Sequence, residues 1–310
     1  MKVVAIVGPT ATGKTKLGVM IAEHFNGEVI SADSMQIYEG MNIASAKPTA
    51  EEMCGIPHHL MGFVPQGEVF SVAKYVELAK QKIIEIHEKQ KLPVIVGGTG
   101  LYIDSLLNNV EFVKTETDES LRKSLLESAE KNGAEYLWNQ LNEIDPESAE
   151  KIEPNNIKRV ARAIEIFKIT GITISEQNRR SKMIPSPYEA IKIGLKTQDR
   201  AVLYDRINRR VDLMLEMGIV DEARELFING SLGDTAKKAI GYKEFEPYFK
   251  HELPLDACVE TLKQETRRYA KRQLTWFMRD KNIKWFNIDQ YTNFDSIAEE
   301  VYKLISEKEG

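Results

Sequence analysis

The chain has 310 residues, 42% of them hydrophobic, and a formal net charge of −5 at pH 7. That is enough for one large core or for a core with a smaller second domain, and it excludes a disordered or fibrous chain. The acidic balance argues against a protein that coats nucleic acid indiscriminately, while leaving room for a local basic patch.

The apolar runs at 3–7 and 92–96 are far shorter than the ~20 residues that span a bilayer. Met1-Lys2 leads straight into the first of them, so neither a signal peptide nor a transmembrane helix is expected. Cys54 and Cys258 are distant and fit no paired framework, which suits a reducing cytoplasm.

The first run reads as a buried strand. Behind it, Gly8-Pro9-Thr10-Ala11-Thr12-Gly13-Lys14-Thr15 matches the spacing glycine, four residues, Gly-Lys-Thr, and a helix is expected from Lys14 to about Phe25. Glycines that turn a strand sharply into a helix make backbone N–H groups converge at the positive end of the helix dipole, which holds a phosphate. Lys14 adds a point charge, and the Thr15 hydroxyl is placed to ligate a Mg²⁺ on that phosphate. The motif says nothing about the rest of the ligand.

Residues 28–33 read as a second strand ending on Asp33. In an open parallel sheet, ligands sit outside the carboxyl ends of strands, so Asp33 is expected on the edge that carries the phosphate loop. A helix cap or a Mg²⁺ ligand are the other readings of this carboxylate. From 34 to 70 no period persists, and a loop this long inside a compact domain is usually functional. Cys54, His58 and His59 lie within it, but adjacent histidines point apart and no fourth ligand stands at a useful spacing for zinc.

Ser71 can cap a crossover helix with apolar residues at Val72, Tyr75, Val76, Ala79, Ile83 and Ile86. The run 92–96 is a third buried strand, followed by Gly97-Gly98-Thr99-Gly100, a second place where backbone approaches a ligand closely. Many phosphate-loop ATPases have a metal-binding acidic residue at this strand end, and its replacement by glycines weakens the case for an ordinary ATPase.

Residues from about Glu116 to Arg180 show only amphipathic helical spacing, with Pro146 and Pro154 expected to start helices and Gly133 and Gly171 to end them. This reads as a helical domain inserted into the sheet protein, closed by Ile184-Pro185-Ser186-Pro187 and carrying Lys158, Arg159, Arg162, Arg179, Arg180 and Lys182. A solvated helix face explains these charges equally well. Alternation at 190–195 restores a strand, and three or four helices follow. Between Lys263 and Lys284 eight basic residues stand against two acidic ones, Glu265 and Asp280, a local balance of +6. Arg267 with Lys271, and Arg268 with Arg272, share helix faces, so the stretch looks like a phosphate-backbone footprint, with Tyr269, Trp276 and Phe277 read as core. A last strand at 283–288 and a terminal helix at 296–306 close the chain. The expected fold is α/β, a P-loop NTPase-like parallel sheet flanked by helices with an inserted all-helical domain. The expected domains are a core in two parts, 1–113 and 186–310, around an insertion at 114–185.

The ordered series Gly8 to Thr15, Asp33-Ser34-Met35-Gln36-Ile37-Tyr38, Ala46-Lys47-Pro48, Val96-Gly97-Gly98-Thr99-Gly100-Leu101-Tyr102, Gly241-Tyr242-Lys243-Glu244 and Ala270-Lys271-Arg272-Gln273-Leu274-Thr275-Trp276-Phe277 resembles the tRNA dimethylallyltransferases over nearly the whole chain. The likeness is to the bacterial form, without the zinc-finger tail of eukaryotic members. It implies transfer of a dimethylallyl group from its diphosphate to the exocyclic amine of the adenosine 3′ to the anticodon. In the family the phosphate loop holds the donor's diphosphate, so no phosphoryl group moves. The resemblance makes Asp33 the general base, with Thr10 and Arg206 holding the reacting region and Lys14, Thr15 and Mg²⁺ holding the diphosphate. It places tRNA contacts at Asp33, Ser34, Met35, Gln36, Thr99 and Arg122. Further contacts fall at Ile157, Lys158, Arg159, Val160 and Ala161, and at Lys238, Ala239, Ile240, Gly241, Tyr242 and Lys243. Arg268, Lys271 and Arg272 join them from the basic helix. The partners implied are the tRNA anticodon stem-loop and dimethylallyl diphosphate, with no membrane, and a monomer is expected. Two other classes stay open on the residues: a small-molecule or nucleoside kinase, which would turn over ATP, and a non-catalytic RNA adaptor, which would need no strand-end carboxylate.

Overall fold

A computed structural model of the chain describes residues 1–110, 112, 118–228, 233 and 236–307. These residues form two compact units, one made of 1–107 with 188–310 and the other of 108–187. The insert boundary expected near 113–114 and the insert's start near Glu116 lie outside the described residues.

The first unit is built on a sheet of six parallel strands in the order β3-β2-β4-β1-β5-β6. In chain order its elements begin with β1 (Lys2–Val7), α1 (Lys14–His24), β2 (Gly27–Ser31), α2 (Ala50–Met53), β3 (His58–His59), α3 (Val72–Glu88), β4 (Leu92–Val96) and α4 (Gly100–Leu107). The sequence's all-loop reading of 34–70 missed α2 and β3. Both are too short to show a period, although Thr49 caps α2 in a reciprocal box with Glu52. β3 adds an edge strand to β2 through Val29 and Ile30. His59 Nε2 lies 2.8 Å from Glu28 Oε2 there.

The second unit contains α5 (Glu119–Asn132), α6 (Ala134–Ile144), α7 (Pro146–Ala149), α8 (Ile157–Thr170) and α9 (Ile174–Met183). Leu125, Leu137, Leu141, Val160 and Ile164 form its buried core. Pro146 occupies the first turn of α7, and Gly171 ends α8 in the left-handed conformation. Pro154 does not start a helix: α8 begins after Asn156, two residues later.

The first unit resumes with β5 (Glu189–Lys196), α10 (Arg200–Glu216), α11 (Ile219–Ile228), α12 (Glu246–Phe249), α13 (Leu255–Phe277), β6 (Lys284–Asn287) and α14 (Phe294–Glu307). Strand residues alternate between faces. Val4, Ile6 and Ile193 pack with Leu17 and Ile21 of α1 and Val301 and Ile305 of α14, so Val3, Ala5 and Val7 serve the opposite face. A further buried cluster joins Ile37, Tyr38 and Met41 to α10, α11 and α13, which anchors the long loop after β2. The carboxyl ends of the central strands are level: Val7 pairs with Gly194, and Val96 with both Ile6 and Ser31.

Candidate active site

The site is assembled at those strand ends, within the first unit. Past Val7 the chain must turn beside β5. Gly8 does so with φ +137°, and a Cβ there would stand 2.2 Å from the Leu195 carbonyl oxygen. Ala11 then takes a left-handed conformation with φ 64°, at a cost of order 1–3 kcal/mol for a non-glycine residue. Two features hold it there. Arg206 Nε donates to the Ala11 carbonyl at 2.7 Å, and Ala11 packs against Leu203, Ile207 and Ala270. The Thr12 hydroxyl and Lys14 Nζ both donate to the Pro9 carbonyl, at 2.9 and 2.7 Å. Gly13 precedes α1 without any side-chain cap, so the helix presents bare N-terminal amides, the ordinary setting for an anion.

Charge around the loop is unbalanced in the same sense. Burial pushes the Lys14 ammonium down to about 7 from 10.5, the positive charge of Arg210 adds to this, and the Asp33 carboxylate opposes it. Burial also lowers the guanidinium groups of Arg206 and Arg210 below their usual value. Lys14 and Arg210 are half-buried and Arg206 lies exposed beside them, and a multiply charged anion would relieve the repulsion among the three positive charges.

Asp33 lies two residues beyond β2, not on its last position. Its Oδ1 accepts from the N–H groups of Met35 at 2.9 Å and Gln36 at 3.3 Å, a turn that fixes the carboxyl at the sheet edge. Neighbouring bonds tie this turn to the loop after β4: Ser34 N–H donates to Thr99 Oγ1 at 3.0 Å, and Thr99 N–H donates to the Ala32 carbonyl at 3.1 Å. Asp33, Ser34, Met35, Gln36 and Thr99 therefore come together beside the phosphate loop.

The basic helix touches this edge through a residue the sequence reading left without a role. Gln273 of α13, 5% exposed, accepts from Thr10 N–H at 2.9 Å and donates to the Gly98 carbonyl at 3.0 Å. A Cβ on Gly98 would lie 2.1 Å from its amide nitrogen. One buried amide thus clamps the phosphate loop to the loop after β4. Tyr269, one turn earlier, has its hydroxyl pushed up by burial and then by the Asp33 carboxylate. Trp276 donates to Asp104 at 2.6 Å, and Phe277 is buried. Of the eight basic residues, Lys263 pairs with Asp212 at 2.7 Å and Arg267 donates to Asn208 at 2.7 Å. Arg268, Lys271 and Arg272 are exposed, the first with Glu265 beside it and the last 5.7 Å from the Tyr269 ring.

The other expected contact residues divide. In the first unit Lys238 and Lys243 are exposed, while Ala239, Gly241 and Tyr242 are buried, with Tyr242 donating to Glu222 at 2.7 Å. Glu222 also accepts the N–H groups of Asn42, Ile43 and Ala44, so it pins the loop after β2 to α11. In the second unit Lys158 and Arg159 are exposed and Val160 and Ala161 are core; Arg122 pairs with the buried Glu165. The side chain of Lys182 lies outside the described residues. Arg210 and Gln273 had legible signals: Arg210 stands one turn after Arg206, and Gln273 is the polar member of a face otherwise made of Tyr269, Ala270, Trp276 and Phe277.

Among the described residues no group of three or more His, Cys, Asp or Glu side chains could enclose a metal. What is present, a Thr15 hydroxyl at the head of α1, fits a Mg²⁺ held mainly by diphosphate oxygens and water.

A parallel sheet, an uncapped helix behind a Gly-Lys-Thr turn and a carboxylate on the adjoining strand edge define an α/β protein of the P-loop type built around an anion. The family model described as IPP transferase matches residues 36–280. A tRNA dimethylallyltransferase of Acetivibrio thermocellus is 52% identical over 296 residues, covering 95% of this chain and 94% of that protein. The full-length tRNA isopentenylpyrophosphate transferase of Bacillus halodurans is 47% identical with a TM-score of 0.74, covering 99% of this chain and 96% of the other. A eukaryotic dimethylallyltransferase acting on tRNA is 31% identical with a TM-score of 0.81, covering 99% of this chain and 80% of the other. The chain belongs to the family of tRNA dimethylallyltransferases, and it is a prenyl-transferring enzyme. No described helix is long and apolar enough to cross a membrane.

Proposed function

We propose that the protein transfers a dimethylallyl group from dimethylallyl diphosphate to the N6 amine of the adenosine on the 3′ side of the tRNA anticodon, releasing diphosphate. The observation that carries this reading is the concentration of Lys14, Arg206 and Arg210 at an uncapped helix end, with Asp33 as the carboxylate beside them. The amides of the loop and these cations hold the diphosphate and stabilise the negative charge that grows on it as the C–O bond breaks. Asp33 takes the proton from the attacking amine, a contribution worth roughly 10²–10⁴ in rate. Its Oδ1 is held by two backbone N–H groups, which leaves Oδ2 for the substrate. Thr10, clamped by Gln273, and Arg206, which holds the Ala11 carbonyl, keep the loop in register with that carboxylate. Thr15, with diphosphate oxygens, would hold a Mg²⁺, which when bound neutralises charge on the leaving group.

Extruding the target base from a stacked loop costs a few kcal/mol, which requires an extensive RNA surface. The exposed Arg268, Lys271 and Arg272 in the first unit and Lys158 and Arg159 in the second are suited to phosphates. The test is incubation with dimethylallyl diphosphate and unmodified tRNA, followed by mass analysis of the nucleosides. One adenosine should gain the mass of a dimethylallyl group; turnover of ATP with no change in tRNA would instead identify a kinase.

A further inference from the structure

Within the helical unit, one buried carboxylate is assigned no part in the chemistry above. Glu165 of α8 has its side chain fully buried, and it meets two arginines whose side chains are 42% and 38% exposed. Arg122 of α5 donates to its Oε2 from Nε at 3.1 Å and from Nη2 at 3.0 Å, with Nη2 also 3.4 Å from Oε1. Arg162, one turn earlier on α8, brings Nη1 within 3.0 Å of Oε1, yet that buried nitrogen is aligned with no acceptor. Burying a carboxylate is costly, and well-packed apolar residues often serve stability as well or better. One arginine would suffice to neutralise it, whereas here two converge and the trio keeps a charge of +1.

The geometry explains what the second arginine is for. A guanidinium engaged through Nε and Nη2 is fixed in its plane, and its remaining Nη1 is turned away from the carboxylate. Arg122 Nη1 has no partner among the described residues. Arg162 stands four residues after Lys158 and three after Arg159, so these three side chains form a basic row along α8. Lys158 and Arg159 are exposed and unpaired by any described carboxylate.

We propose that Glu165 is a positioning residue for RNA binding: it fixes the guanidinium plane of Arg122 through directed hydrogen bonds and keeps Arg162 beside it by charge, so that both, with Lys158 and Arg159, meet phosphate groups of the tRNA. This rests on the reading above that the substrate is tRNA, and it adds Arg162 and Glu165 to the residues that serve it.

The charge makes the test decisive in sign. If Glu165 merely neutralised the arginines, Glu165→Gln would raise the local charge to +2, tighten tRNA binding and steepen its salt dependence. If it positions them, the same variant, in the full chain, should bind unmodified tRNA about tenfold more weakly for each charge-assisted hydrogen bond lost. Its log–log salt slope should be shallower by about 0.7–0.9 per lost phosphate contact. KM for tRNA should rise while the single-turnover rate at saturating tRNA and the donor affinity stay as in the wild type, and Glu165→Asp should recover part of the affinity. Tighter binding, or an unchanged slope, overturns the proposal. Should Glu165→Gln fail to fold, Arg162→Ala at the partly exposed position decides: its slope must also fall, and an unchanged slope overturns the proposal. Absence of prenylated tRNA with the wild-type chain would overturn the proposed function instead, whereas normal product with unaltered slopes overturns this inference alone.

Discussion

Replacing Lys14 by methionine should stabilise the protein near neutral pH and remove part of its pH dependence. The ammonium is held down to about 7 in the folded protein, first by burial and then by Arg210, against 10.5 in the unfolded chain. Between these values the unfolded chain binds more protons than the folded one, so stability rises with pH. The penalty for burying the charge is therefore fully present below about pH 7 and relieved as pH climbs towards 10.5. At about 1.4 kcal/mol for each pH unit between the two values, the ceiling is about 5 kcal/mol. Lys14 is partly exposed, and solvent screening cuts the ceiling to about 3 kcal/mol. The variant also loses the 2.7 Å bond to the Pro9 carbonyl, worth about 1 kcal/mol. Lys14→Met should thus be more stable than the wild type by about 2 kcal/mol at pH 6, and the advantage should vanish by about pH 10. Urea unfolding of both proteins at intervals from pH 6 to 10 measures this, since every other group titrates alike in the two and cancels in the difference. Parallel curves, or a variant less stable at pH 6, would refute the reasoning. Dimethylallyl diphosphate should reverse the order, stabilising the wild type far more than the variant, with uptake of a fraction of a proton on binding at pH 8.

Gln273→Leu strands the buried Gly98 carbonyl, at about 1–3 kcal/mol, and removes the acceptor of the half-buried Thr10 N–H, at about 1 kcal/mol. The variant should lose stability and bind the donor at least tenfold more weakly; donor affinity equal to wild type would show that this clamp does not set the loop. Changing Arg268, Lys271 and Arg272 together to alanine should weaken tRNA binding and lower its salt slope by nearly one unit per lost contact, with donor affinity almost untouched. A slope identical to wild type would mark that face as merely solvated.

The elements legible in the sequence were those whose signal is local and repeated. β1 with its glycine turn, β4 as a continuous apolar run and α3 with its Ser71 cap all depend on neighbours within a few residues, and Ser71 does accept the Lys74 N–H at 3.2 Å. β3 escaped notice because two residues cannot display a period, and its place is decided by pairing with Val29 and Ile30. α4 was hidden by the glycines that precede it, since Gly100 reads as loop yet opens a helix. In the site, the Gly-Lys-Thr spacing declares itself because every part of it is contiguous. Gln273 and Arg210 show a helical spacing but not their partners, because each acts on residues far away in the chain that only folding brings together. Carboxylates such as the buried Glu165 and the half-buried Glu222 look like surface residues in a sequence, and their partners become apparent once helices are packed.

The role of Asp33 is tested most directly by Asp33→Asn, which preserves size and one acceptor oxygen but cannot take a proton from the amine. With tRNA and donor saturating, the single-turnover rate should fall by roughly 10²–10⁴ while donor affinity and Mg²⁺ dependence stay close to wild type. A fall in donor affinity partly restored by excess Mg²⁺ would make Asp33 a metal ligand. An unchanged single-turnover rate would contradict the mechanism outright and leave Asp33 as the cap of its own turn.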